Sequence, residues 1–231
     1  MCSFARLLIM FSLVISCQDT KTPPKKIIEI KEKSIVVASP KTSKIKNRIP
    51  RITNATVEEF YTEYGALNTE RKVRIKTRLG NIDIELFKDV PLHRANFIHI
   101  IKRGFLNETC FYRVAKGFVI QGGNSDSFKM AKIKHRIGEF TLPSEFLDHH
   151  KHTYASVAMA RVWKNNPNRR STPYEFYIII NPKGEPHLDG EHTVIGRVTK
   201  GMNVAKKINQ VEVDKSEWPK KDICMTVEIL D

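Results

Sequence analysis

Cysteine is scarce in this chain and poorly spaced for binding a metal. Only Cys2, Cys17, Cys110 and Cys224 occur, with no CxxC and no neighbouring His-Cys pair, which argues against a structural zinc site. No metal and no other cofactor is expected. Nor is there a basic run interleaved with aromatics, so the stacking groove of a nucleic-acid binder is missing and no nucleic-acid partner is expected. No apolar run is long enough to span a bilayer stably; Leu7–Ile15 has only the length of a signal-peptide core. Collagen-like repeats and wholesale disorder are excluded by an ordinary balance of 41% hydrophobic and 28% charged residues.

Positive charge, by contrast, is abundant. The 39 Lys+Arg against 25 Asp+Glu give a formal +14 over 231 residues. Such a surface is drawn to anionic partners, though a merely solvated basic surface has the same composition. The chain is long enough for one well-buried domain plus extensions, and a monomer is expected.

Four segments are expected. Residues 1–16 read as a signal peptide, and Val14-Ile15-Ser16-Cys17 resembles the bacterial lipoprotein signal, which implies a lipid on Cys17 and a place in the bacterial cell envelope, anchored to a membrane. Several acyl chains on one residue hold far longer than one, since each buried CH₂ adds about 0.8 kcal/mol. Residues 17–52, rich in Lys, Thr, Pro and Ser, read as a basic tether. Residues 53–70 read as a helical extension, with Asn54 as N-cap and Val57, Phe60 and Tyr64 on one face.

Residues 71–231 carry the folded domain. Val73–Thr77 and Ile82–Phe87 alternate about a turn at Leu79-Gly80 and spell a hairpin. Pro91–Arg103 fits a helix with Leu92, Ala95, Ile98 and Ile101 inward, and with His93 and His99 on the surface. Residues 125–152 read as a loop-rich insert whose His149, His150 and His152 are solvent-facing rather than metal-binding. Cys110 and Cys224 each lie in a β-like run; they could pair, but buried free thiols are expected. Met202, Val204, Ala205 and Ile208 mark a second helix, and Ile223 to Leu230 a last strand.

The chemistry concentrates in Phe111-Tyr-Arg-Val-Ala-Lys-Gly-Phe-Val-Ile-Gln-Gly-Gly-Asn124. If Lys116-Gly117 bends the chain between two strands, alternation brings Phe111, Arg113, Phe118 and Gln121 to one exposed surface: a cation beside an apolar shelf. On pattern alone, an aromatic-rich strand ending in Gly-Gly is more often a core strand with a bulge. The stretch resembles the cyclophilin signature, with Phe111, Arg113, Val114, Phe118, Gln121, Gly122 and Gly123 matched, and Tyr112 and Val119 standing where His and Met are usual. Further matches are Met159, Ala160 and Arg161, then Phe176, Leu188 and His192, while Glu175, Tyr177 and His187 stand where Gln, Phe and Trp are common.

That resemblance, running from Val73 to Leu230, implies a mainly β fold: a closed eight-stranded antiparallel barrel capped by two helices. It also implies peptidyl-prolyl cis-trans isomerase activity on proline-containing polypeptides, assisting folding in the envelope or of secreted proteins. Arg113 would be catalytic. Phe111, Phe118, Val119, Phe176 and Leu188 would supply apolar contacts to the proline and His192 the rim, with Gln121 holding the substrate backbone and Ala160 and Arg161 the wall. Glu175 would lie near Arg113, positioning it or withholding it. Two other readings stay open: a catalytically weak module that binds Pro-containing segments as holdase or scaffold, and a structural lipoprotein using its basic tether. Because His187 replaces the indole by which family members bind cyclosporin, inhibition by that drug is expected to be weak; a low-nanomolar inhibition constant would contradict this.

Overall fold

The computed structural model describes residues 51–230. In chain order the elements are β1 (Ile52–Thr53), α1 (Val57–Leu67), β2 (Lys72–Thr77), β3 (Gly80–Leu86), α2 (Pro91–Lys102), β4 (Cys110–Ala115), β5 (Val119–Asn124), α3 (Phe128–Ile137), β6 (Gly138–Glu139), β7 (Ser156–Met159), β8 (Phe176–Ile179), β9 (Val194–Lys200), α4 (Met202–Asn209) and β10 (Met225–Ile229). None of the described helices is long and apolar enough to cross a membrane.

Alternation builds the main sheet. Val73 pairs with Ile84 and Ile75 with Ile82 across the β2–β3 hairpin, and all four side chains are buried. Eight strands follow in the order β10-β2-β3-β9-β7-β8-β5-β4, every neighbour antiparallel. The sheet curls around a core in which Phe176 meets Phe97 and Phe111 edge-on, at 5.6 and 6.1 Å. Full burial of one such ring is worth about 1.5–3 kcal/mol.

The expected closed barrel is not formed. β10 and β4 remain the edges of the sheet, and the residues before β10 form a loop closed by a bridge from Val213 to Pro219. That loop takes up a β4 donor: Val114 N–H donates to the Glu217 carbonyl at 2.8 Å. Across the gap run only two backbone bonds, Phe111 N–H to Ile223 O (2.9 Å) and Met225 N–H to Thr109 O (3.0 Å), and a disulfide, Cys110–Cys224. The expectation of buried free thiols is therefore corrected on both counts. Alternation places both cysteines at the seam, where Cys224 is exposed and Cys110 half-buried.

Helix α2 plugs one end, its residues from His93 to Ile101 all buried. Contrary to expectation, His93 and His99 are among them, because α2 is covered on its outer side as well. His93 lies between Glu145 and Ser171, and the Glu145 carboxylate also accepts from the Leu92 and His93 N–H groups at 3.1 and 2.9 Å. A negative charge thus caps a helix start where the donors have no intrahelical partner. His99 is covered by α1, whose fully buried Tyr61 places its hydroxyl 3.2 Å from His99 Nδ1. Helix α1 begins after Thr56 rather than at Asn54, whose side chain instead accepts from Thr141 N–H at 2.8 Å.

The expected loop-rich insert contains α3, capped by Ser127 and burying Met130 and Ile137, and then β6, which pairs in parallel with β1. His152 is buried rather than solvent-facing. Helix α4 sets Val204, Ala205 and Ile208 inward, and its buried Asn209 accepts from Gly117 N–H (2.8 Å) while donating to the Ala115 carbonyl (2.8 Å). The β4–β5 turn is thereby tied to a helix some ninety residues further on.

Two outcomes are expected. Reducing the disulfide, or replacing both cysteines by serine, should destabilise the domain by about 2–4 kcal/mol in urea unfolding, since a long loop in the unfolded chain is released; a midpoint indifferent to reductant would refute this. Burial, and then the charge of Arg103, hold His99 at about 4 against an ordinary 6.5. Folded protein thus takes up this proton less readily than unfolded chain, so stability is lost as pH falls from about 6.5 towards 4, by roughly 3 kcal/mol at most, with no such slope above pH 7. His99→Phe should make that slope shallower, leaving the part that the lowered His152 and His192 contribute.

Candidate functional site

The site is set by a change of face within β4. Phe111 pairs with Gly122 but Arg113 with Gln121, so Tyr112 is an extra residue and the strand bulges there. Before the bulge Phe111 enters the main core; after it Val114 does, and Arg113 and Ala115 turn to the opposite face. The compensating irregularity in β5 falls at Gly123, where φ is +99° and a Cβ would lie 2.1 Å from the Tyr174 carbonyl oxygen. No other residue fits that approach.

The face so exposed is the floor of a groove of about 360 Å³. Val119, Tyr177, Leu188 and Ala160 form one small apolar cluster, with Phe118 packed on its edge. Parity explains the choice: in β5 Val119 and Gln121 face the groove and Ile120 the core, and in β8 Tyr177 faces the groove and Phe176 the core. Phe118 stacks on His187 at 5.9 Å, closing one side. On the other, Trp163, 64% exposed, lies over the Arg161 guanidinium at 3.8 Å and meets His192 edge-on at 5.4 Å.

Arg113 stands at the rim, its guanidinium carbon 5.9 Å from the Phe118 ring centre. Its Nε–H donates to Glu217 Oε2 at 2.7 Å, so the loop that interrupts the barrel supplies the counter-charge. Glu175 does not fill that role. It accepts a bond from the Tyr112 hydroxyl at 3.2 Å, and Gln121 Nε2 in turn donates to that hydroxyl. Burial pushes the Glu175 carboxyl up, against the pull of Tyr112; burial and then the Glu175 charge push the Tyr112 phenol well up, keeping it a donor.

Burial holds the His192 imidazole down at about 4, so the ring is neutral at pH 7. Its Nδ1 lies 3.1 Å from the Met159 carbonyl oxygen, which only accepts; the proton is therefore on Nδ1 and Nε2 is an acceptor. Behind it Tyr177 Oη lies 3.0 Å from His152 Nε2, and His152 Nδ1 lies 2.9 Å from Asp189 Oδ1. This buried chain sets the height of the Tyr177 ring in the floor. Arg161, its side chain 5% exposed, is held by Glu191.

Of the residues singled out from sequence, Arg113, Phe118, Val119, Gln121, Ala160, Arg161, Leu188 and His192 come together around the groove. Phe111 and Phe176 do not: both are in the main core. Phe111 is displaced from the surface by the bulge at Tyr112, which simple alternation cannot foresee. Phe176 rather than Tyr177 matches the family pattern, yet strand parity with Ala158, its partner in β7, puts Tyr177 on the groove side. Trp163 was overlooked because no periodicity marks a residue in a loop. Cys17 lies outside the described residues.

Residues 72–228 match the cyclophilin type peptidyl-prolyl cis-trans isomerase/CLD family. A peptidyl-prolyl cis-trans isomerase of Helicobacter pylori is 37% identical over 145 residues, covering 62% of this chain and 82% of that protein. One from Arabidopsis thaliana is 32% identical over 154 residues, covering 64% and 86%. A peptidyl-prolyl cis-trans isomerase-like protein of Rhizopus delemar is 34% identical over 184 residues, but the match spans only 33% of its length. Among solved structures, a cyclophilin-type isomerase of Cryptosporidium parvum, crystallised in the presence of the dipeptide Ala-Pro, superposes with a TM-score of 0.59 at 26% identity, over 70% of this chain and 99% of that one. With its curled sheet, plugging helices and shared signature, the chain belongs to the cyclophilin family of peptidyl-prolyl cis-trans isomerases.

Proposed function

We propose that the groove speeds rotation about X-Pro bonds by stabilising the twisted amide with Arg113. Planarity of the peptide bond imposes a barrier of about 18–20 kcal/mol, and twisting localises the lone pair on the proline nitrogen. A guanidinium N–H aimed at that nitrogen favours the twisted state over either planar one and needs no covalent step. The observation that carries this reading is the placement of Arg113: its Nε is committed to Glu217 at 2.7 Å, which leaves its terminal nitrogens for a ligand on the Phe118 shelf.

In this reading the proline ring sits on Phe118, Val119, Tyr177 and Leu188 against His192. Gln121, steadied through Tyr112, holds the substrate backbone, and the peptide runs along Ala160 and Arg161. Neutral His192 gives the pocket a rim without a charge to desolvate. The Glu217 pair also favours a second reading, in which the carboxylate keeps Arg113 off the substrate and the groove grips Pro-containing segments without turning them over.

Folding of envelope or secreted clients from a lipid-anchored position on Cys17 is part of the same proposal. It is supported by the sequence around Cys17 and by the Cys110–Cys224 disulfide, since disulfides persist in oxidising compartments rather than in the cytosol.

A protease-coupled proline isomerisation assay tests the mechanism. Arg113→Ala should lower kcat/KM by about 10²-fold or more, and Arg113→Lys should recover little because an ammonium lacks the planar fork. Circular dichroism should show both variants folded. Equal rates for the natural protein and Arg113→Ala, with peptide binding retained, would instead establish the binding module.

A further inference from the structure

Away from Arg113, two turns distant in sequence bring three metal-ligating side chains to one point. Asp89 lies between β3 and α2, and His149 and His150 follow 60 and 61 residues later. His149 Nε2 is 2.7 Å from Asp89 Oδ2 and His150 Nε2 is 2.8 Å from Oδ1, so a single carboxylate draws both imidazoles inward. The ligand atoms all lie within 4.8 Å of one another. Phe87 stacks face to face on His150, with ring centres 3.9 Å apart and planes 9° from parallel, which fixes the direction of that nitrogen. His150 is 14% exposed, His149 64% and Asp89 47%, so the cluster is walled on one side and open to water on the other.

We infer that Asp89, His149 and His150 form a binding site for a divalent transition-metal ion of the zinc or nickel type. Two imidazoles and one carboxylate are a donor set of intermediate softness, suited to these ions and not to calcium or magnesium, which prefer all-oxygen shells. In a tetrahedral site with bonds of about 2.0–2.1 Å the ligand atoms stand roughly 3.3 Å apart, so the imidazole–carboxylate contacts of 2.7 and 2.8 Å need only a small opening movement for an ion to enter between them. The exposed His149 ring is free to make it, while His150 and Asp89 already point the right way. On binding, each ring holds its proton on Nδ1 and presents Nε2 to the ion, and the Asp89 carboxylate exchanges two N–H donors for the metal. Water takes the remaining position. A narrow cleft beside His150 is also lined by Asp189 and His192. The carboxylate that joins the two histidines comes from a turn about sixty residues earlier, where local sequence does not show it.

The test is calorimetric titration of Zn²⁺ into the full chain, without a polyhistidine tag and freed of metal by chelator. Saturable uptake of one ion per chain in the micromolar range is expected. His149→Ala, a change at an exposed side chain, and Asp89→Asn should each weaken it by roughly tenfold or more, while His135→Ala on the exposed face of α3 should leave it unchanged. Substituting Co²⁺ gives a visible absorption band that His149→Ala should abolish. Absence of saturable Zn²⁺ uptake would overturn the inference. So would uptake that both His149→Ala and Asp89→Asn leave intact, since the ion would then be bound elsewhere.

Discussion

The functional face depends on one departure from regular pleating. A strand presents alternate residues to alternate sides, and if Tyr112 were a regular residue of the pleat rather than a bulge, the side chains of Phe111 and Arg113 would share a face. One of them would then be misplaced: either a guanidinium in the core or a phenyl ring in water. The bulge resolves this by adding a residue, and Gly123 in the facing strand absorbs the displacement where no side chain fits. Tyr112 itself is put to use, because its hydroxyl ties Gln121 to Glu175 behind the groove floor. Register, glycine placement and the site's polar network are thus parts of one local solution.

Around that solution the structure spends buried polar groups to hold backbone rather than to bind ligand. Asn209 satisfies both sides of the β4–β5 turn from α4, and Glu145 caps α2 from a distant loop. The Tyr177–His152–Asp189 chain does the same for an aromatic of the groove. Each leaves few alternatives, since a buried polar group deprived of its partner costs about 1–3 kcal/mol. The apolar floor is consequently small and shaped, not merely greasy.

Much of this was legible in the sequence, and the gaps have physical causes. The β2–β3 hairpin, α2 and α4 follow from local periodicity, and the eight-stranded count from the family resemblance. Resemblance to one family, in the signature stretch and in later matches, brought eight of the named groove residues together. What escaped depends on contacts between distant segments. Helix α2 looks amphipathic enough to leave His93 and His99 outside, until α1 and Glu145 cover them. The barrel stays open beside the loop that precedes β10, and nothing in the composition of those residues says so. Cys110 and Cys224 could be paired only once both strands were placed at the seam. Trp163, which brings an indole to the wall opposite His187, has no periodic signal at all.

The seam disulfide has a topological side as well. Its two cysteines are 114 residues apart, and every residue assigned to the groove, from Arg113 to His192, lies between them. The groove therefore sits inside a covalent ring, from which the segment before Cys110, with the β2–β3 hairpin and helices α1 and α2, and the last strand run out as tails. A protease that nicks the exposed loop at Val162–Arg169 opens the ring without releasing a fragment, and the two walls stay joined through sulfur. Wherever a protease meets it, such a ring turns a single cut from dismemberment into a local scar.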